Sequence, residues 1–163
     1  MTGDERTGEV DELAEGVRLR FRRRWPLPVA DVWAALTGPD RLPRWIGTYD
    51  GVREPGGAGT FTMTHEEQVV GEPLRVVACA APVRLVVEWD TEGGWRVDLD
   101  LDQEGDEAVL TFTQLFPPGT DVVDYALGWH WYLDKLDAEV AGGPVPPAWE
   151  DFLAEVGPAY GRG

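Results

Sequence analysis

From Val17 the chain alternates apolar and polar residues: Val17, Leu19, Phe21 and Trp25 fall on one side, Arg18, Arg20, Arg22 and Arg24 on the other. A period of two marks a strand with one buried face, and the arginine row reads as its solvated side. The period then changes. Val29, Val32, Trp33 and Leu36 recur at helical spacing, Pro28 stands at a first-turn position and Gly38-Pro39 ends the element. A second short helix fits Asp40 to Trp45. In TYDGVREPGGAGT the glycines mark turns and a loop, without the following helix and lysine that a phosphate cradle needs.

Period two returns in the middle of the chain. Phe61, Met63 and His65 share one side of a strand, Leu74, Val76 and Ala78 of the next, and Leu85, Val87 and Trp89 of a third. Trp95, Val97, Leu99 and Leu101 face away from Arg96, Asp98, Asp100 and Asp102, and AVLTFTQLF completes the set. Turn residues at Pro82, Gly93-Gly94 and Glu104-Gly105-Asp106 keep the connections short, so consecutive strands are expected to be antiparallel neighbours. The cover for their apolar side is a long amphipathic helix. Val122, Ala126, Trp129, Leu133, Leu136 and Val140 recur at steps of three and four, Tyr125 and Tyr132 border them, and Asp124, Asp134, Lys135 and Asp137 turn away. On this reading His130 is a boundary residue and Trp131 points elsewhere. Thr120 or Asp121 caps the helix and Gly142-Gly143-Pro144 ends it. The pattern predicts an α+β domain: a curved antiparallel sheet of about six or seven strands around a C-terminal helix, with two short helices after the first strand. Residues 1–16 carry six acids and one arginine and are expected to be a mobile acidic tail. Residues 17–142 form one domain, and residues 143–163 form a proline-containing tail whose PAWEDFLAEV helix packs Trp149, Phe152 and Leu153 back onto the body.

Composition narrows the function. The 163 residues carry a formal net charge of -16, a field that repels nucleic acid and anionic lipid. No apolar run approaches the roughly 20 residues of a membrane span, and the acidic start lacks the features of a secretory signal. A soluble cytoplasmic protein is expected, with no nucleic-acid or membrane partner. The one cysteine, Cys79, forms no internal disulfide. The chain has no serine and no asparagine, and one lysine beside 13 arginines, the coding bias of a GC-rich bacterial genome. A serine nucleophile and a Gly-Lys-Ser/Thr phosphate loop are thereby excluded, and two distant histidines with one cysteine make no zinc cluster. Neither metal nor cofactor is expected.

Three segments carry a family resemblance: PLPVADVWAALTGPDRLPRWIG, GEPLRVVACAAPVRLVVEW and GWHWYLDKLDAEVAG. Together they resemble the START-like, or SRPBCC, superfamily, and within it the branch named for the activator of the 90-kDa heat-shock protein ATPase. The resemblance implies a helix-grip fold, in which the sheet curls around the long helix and leaves an apolar cavity between them. Members of the superfamily bind lipids, sterols or polyketides, and some catalyse cyclisation or dehydration. No shared catalytic motif can be carried over to this chain.

Nine side chains would project into that space: Trp33, Trp45, Phe61, Met63, Trp89, Trp95, Phe112, Tyr125 and Trp129. Aromatic walls suit an apolar ligand, although such residues more commonly fill a core. His65 either reaches the cavity rim, where an imidazole orients a carbonyl or moves a proton, or ends its strand in solvent. Arg44 leans over the mouth or lies on the surface. Glu88, Asp90, Asp98, Asp100 and Asp102 share the wet side of their strands and read as solvated. Three functions remain open: a carrier or sensor of a small apolar or aromatic molecule, an aromatase/cyclase or dehydratase using Tyr125, His65 and Arg44, and a cochaperone-like interaction module. A homodimer is left open.

Overall fold

The computed structural model describes residues 7–65, 69–89, 95–142 and 144–161. Asp90, the Gly93-Gly94 turn and Gly143 lie outside them. The strands are β1 (Glu9–Leu13), β2 (Gly16–Trp25), β3 (Gly47–Gly51), β4 (Ala58–Met63), β5 (Gly71–Ala80), β6 (Arg84–Trp89), β7 (Trp95–Glu104) and β8 (Glu107–Phe116). They form one sheet in the order β1-β2-β8-β7-β6-β5-β4-β3, and every neighbouring pair is antiparallel. Helix α1 (Val29–Thr37) and a 3₁₀ turn (Leu42–Arg44) follow β2, α2 (Val123–Ala141) follows β8, and α3 (Trp149–Val156) closes the chain with a second 3₁₀ turn (Gly157–Tyr160). The fold is the α+β helix-grip arrangement. No helix is long and apolar enough to cross a membrane among the described residues.

Two strands were not anticipated. Glu9–Leu13, placed in the mobile acidic tail, pairs with β2 as an edge strand. Its acids meet the arginine row: Arg18 donates to Asp11 at 3.1 Å and Arg20 to Glu9 at 3.2 Å. Gly47–Gly51 forms β3 where a loop was expected, which brings the strand count to eight among the described residues. Its glycines serve close strand approach. Gly51 stands opposite Gly59, and a Cβ on Gly59 would lie 2.6 Å from the Gly51 Cα. Composition alone cannot separate such a glycine from one in a turn.

The sheet order places β2 and β3 near opposite edges, so the connection between them must cross the concave face. Α1 and the following 3₁₀ turn make that crossing and roof the β4–β6 side. The other side is covered by α2, which begins where the Asp121 carboxylate accepts the Val123 N–H at 3.1 Å and ends at Gly142, whose φ of 73° favours glycine.

Helix α2 buries more than one stripe. Ala126, Leu127, His130, Trp131, Tyr132, Leu133 and Leu136 are all buried, because α3 and the C-terminal turn cover its second flank. His130 is thus interior: its Nδ1 meets the Tyr160 hydroxyl at 2.9 Å, and its ring packs edge-on against Phe21 and Phe152. Trp131 donates to the Pro147 carbonyl at 3.0 Å and packs against Trp149. Asp134 and Asp137, assigned to the solvated side, accept from Arg23 at 2.8 and 2.7 Å, and Asp137 also accepts the Trp25 indole N–H at 2.9 Å. Arg23 has the inward parity of β2 and is 3% exposed. A buried cation becomes tolerable when two carboxylates meet it with good geometry.

The outer face of the sheet is wet, as its acids foretold. Glu88 pairs with Arg75 at 2.5 Å, Asp98 with Arg84 and Arg96 at 3.0 Å each, and Asp100 with Arg84 at 2.5 Å. Hydrogen bonding to Asp100 raises the Arg84 pKa, and hydrogen bonding to Asp98 raises that of Arg96.

Candidate functional site

Beneath the roof lies a cavity of about 340 Å³. Leu36, Thr37, Gly38, Pro39 and Leu42 line it from above, Phe61, Leu74 and Val76 from the sheet, and Cys79, Ala81, Leu85 and Val87 from the β5–β6 end. Its volume lies within the range of small-molecule sites, roughly 300 to 1,000 Å³. A smaller hollow of about 70 Å³ adjoins it, shares Leu36, Leu42, Phe61, Leu74, Leu85 and Val87, and reaches under α2 to Trp129 and Leu133.

Polar groups are confined to one side of the larger cavity. Tyr49 on β3 donates its hydroxyl to the Val52 carbonyl at 2.6 Å. Arg53, in the loop after β3, donates to the Thr37 carbonyl at 2.7 Å and the Tyr49 carbonyl at 3.3 Å, with its guanidinium 5.4 Å from the Tyr49 ring centroid. Burial pushes the Tyr49 pKa above its ordinary value, and the Arg53 charge opposes that rise. The Thr37 hydroxyl is already engaged, donating to the Trp33 carbonyl at 2.8 Å.

The nine aromatic and thioether candidates divide. Trp33 and Phe61 line the larger cavity; Phe61 also lines the smaller one, with Trp45, Trp89, Phe112 and Trp129. These last residues pack on one another: Phe61–Trp89 at 5.6 Å, Trp89–Trp129 at 6.2 Å and Phe112–Trp129 at 4.8 Å between ring centroids. Trp45 is fixed by donation to the Ala35 carbonyl at 2.8 Å, and Trp129 by donation to Gln114 at 2.9 Å. Met63, Trp95 and Tyr125 line neither hollow. Met63 packs against the core. Tyr125 lies between Trp95 and Phe116, with ring centroids 5.0 and 4.9 Å away.

His65, Arg44 and Tyr125 do not converge. The β4 strand ends at Met63, so the alternation that would aim His65 inward does not reach it. Its Nε2–H donates to the Pro43 carbonyl at 2.9 Å, and its Nδ1 accepts from Lys135 at 2.8 Å, tying the 3₁₀ turn to α2. Lys135 lies 4.2 Å from the Trp131 ring centroid, and burial pulls its pKa down. Arg44 is exposed and stands 3.8 Å from Glu139, which Arg41 also contacts. No group of three metal-ligating side chains occurs among the described residues.

Sequence reasoning missed Cys79, Tyr49 and Arg53 as lining residues. For Cys79 the cause is a bulge: β5 shifts register between Val76 and Ala78, so Cys79 rather than Ala78 faces the cavity, opposite Leu85. Tyr49 and Arg53 lie in the segment whose glycines predict turns and a loop.

The family described as activator of Hsp90 ATPase homolog 1-like protein matches residues 26–141. No curated protein matches the chain. Among solved structures the chain is similar to CalU16 from Micromonospora echinospora, at 27% identity over 94% of this chain and 93% of that one, with a TM-score of 0.73 for the crystal structure. A protein from Bordetella parapertussis, solved by NMR, is 23% identical over 98% and 94% of the two chains, with a TM-score of 0.74. A conserved protein of unknown function from Enterococcus faecalis, 16% identical over 93% and 89%, has a TM-score of 0.68. The last two similarities speak to the fold alone. The family match runs from the residue after β2 to the last residue of α2 and so encloses every residue that lines the cavity; the chain belongs to the activator of Hsp90 ATPase homolog 1-like family, within the START-like SRPBCC superfamily.

Proposed function

We propose that the protein binds a small apolar or aromatic molecule in the cavity beneath α1, as a carrier or sensor. The observation that carries this reading is the hollow of about 340 Å³ walled by aliphatic and aromatic side chains. Concave apolar sites with a few polar groups at one side are the common form of small-molecule pockets. The larger cavity is the body of the site, with Trp33 and Phe61 in its wall, and the smaller one extends it toward Trp45, Trp89, Phe112 and Trp129. Catalysis by Tyr125, His65 and Arg44 would require the three at one substrate, and their separate packing favours binding over turnover. The cavity equally favours a ligand over a cochaperone surface as the centre of function.

The test is a titration of tryptophan emission with naphthalene-2-carboxamide, an uncharged aromatic probe. Saturable change is expected in the unmodified protein, and its loss in Val87→Phe, which fills the hollow from β6. A protein that gives no saturable change with this or with other aryl and alkyl probes, uncharged or carboxylate, has no usable cavity, and the reading is then wrong.

A further inference from the structure

Arginine is abundant in this acidic chain, and nearly all of it is neutralised. Among the described residues nine arginines are ion-paired with a carboxylate: Arg18, Arg20, Arg23, Arg24, Arg41, Arg44, Arg75, Arg84 and Arg96. Arg22 and Arg53 are the exceptions. Arg22 stands exposed on the outer face of β2; Arg53 is exposed as well, but it stands at the open side of the apolar cavity, among its lining residues. With 30 acidic residues in the chain, a cation without an acidic partner at this one place calls for an explanation.

The Arg53 head is held in position without being neutralised. Its two hydrogen bonds go to carbonyl oxygens, those of Thr37 at the end of α1 and Tyr49 on β3, and the Tyr49 ring lies beneath it. A guanidinium has five N–H donors in a rigid fork, so three remain for a ligand. The Tyr49 hydroxyl, donating to Val52, keeps lone pairs but has no proton to offer an anion. The Thr37 hydroxyl is engaged with Trp33. The polar side of the cavity therefore offers cationic donors and no acidic acceptor.

Resting on the ligand-binding reading above, we propose that the ligand is a carboxylic acid with an apolar, aromatic or aliphatic body, bound as its anion with the carboxylate on Arg53. The body fills the space among Leu36, Phe61, Leu74, Leu85 and Val87, and the head remains at the Tyr49–Arg53 side. Planar carboxylates match the guanidinium fork, and charge-assisted bonds of this kind are about twice as strong as neutral ones. The overall field of the protein opposes anions, so selection depends on this local charge and weakens when it is removed.

The experiment compares matched probes of nearly equal shape, naphthalene-2-carboxylate and naphthalene-2-carboxamide, by calorimetry at a pH where the acid is ionised. The unmodified protein is expected to bind the acid about tenfold more tightly than the amide. In Arg53→Gln the acid should lose its advantage and fall to about the level of the amide in the same variant, while the amide loses much less, and Arg53→Lys should fall in between, keeping the charge but losing the fork. Equal affinity of the two probes for the unmodified protein would overturn the assignment of the head group and leave the cavity standing. Parallel loss of both probes in Arg53→Gln would also overturn it, because Arg53 would then act by shaping the wall. Binding of neither probe, nor of octanoate and octanamide, would remove the cavity reading and this proposal together.

Discussion

The two halves of the concave face are built by opposite rules. Under α2 and α3 the space over the sheet is taken up by large side chains, Phe21, Trp25, Phe116 and Phe152, and only the hollow of about 70 Å³ reaches in beside Phe112. Most buried polar groups there find partners, Arg23 with Asp134 and Asp137, His130 with Tyr160, Trp25 with Asp137, the Gln114 amide nitrogen being an exception. Under α1 the sheet presents Val76, Cys79, Ala81 and Val87, and a hollow remains. Protein interiors are close-packed, and an apolar void forfeits dispersion contacts. The contrast teaches that the molecule's stability resides in the filled half, and that the hollow half is where an occupant has room.

The largest test of this contrast removes the buried cation. Arg23→Met leaves Asp134 and Asp137 facing an apolar side chain and should destabilise the fold by roughly 3 to 5 kcal/mol, read by urea unfolding; Arg22→Met, on the outer face, should stay within about 0.5 kcal/mol. Leucine truncation comes next. Leu136→Ala, in the filled half, should lose about 3 kcal/mol or more, and Leu85→Ala, already bordering empty space, about 1 kcal/mol. Overfilling should keep the same order of tolerance: Val17→Phe should destabilise by about 1 to 3 kcal/mol, whereas Val87→Phe should change stability by less than about 1 kcal/mol and still abolish uptake of apolar probes.

The smallest effect is electrostatic. Tyr49 should titrate above the ordinary tyrosine range, assigned as the ultraviolet phenolate signal missing from Tyr49→Phe. Arg53→Gln should raise its pKa further, because the arginine charge lowers it. Since the folded-state pKa is the higher one, the linked stability is intact below pH 10 and declines as pH rises through the folded value.

Much of this architecture was legible in the chain because periodicity reports burial directly. The alternation of β2, β7 and β8 and the spacing of α1 and α2 were sufficient for an antiparallel sheet covered by a long helix, and the family resemblance supplied the helix-grip arrangement. The errors have identifiable causes. Periodicity does not see a bulge, so Cys79 was turned to the wrong face. It predicts that the last helix packs back but not on which flank, so His130, Trp131, Asp134 and Asp137 read as boundary or outward residues, whereas α3 and Arg23 enclose them. The cavity was expected between the long helix and the sheet. Its larger part lies instead beneath α1, because the crossing from β2 to β3 follows from strand order, which no local pattern encodes. Trp33 and Phe61 were found by their residue type. Tyr49 and Arg53 were hidden in a glycine-rich segment that forms a strand and its following loop.

The central claim, that the hollow under α1 is a ligand site, is tested most directly by native mass spectrometry of the freshly isolated protein beside Val87→Phe. The account predicts a bound small molecule on the unmodified protein, released on denaturation and missing from the variant, with both proteins folded. A ligand-free mass for the unmodified protein that persists after exposure to naphthalene-2-carboxylate and naphthalene-2-carboxamide, or the same adduct on both proteins, would contradict it.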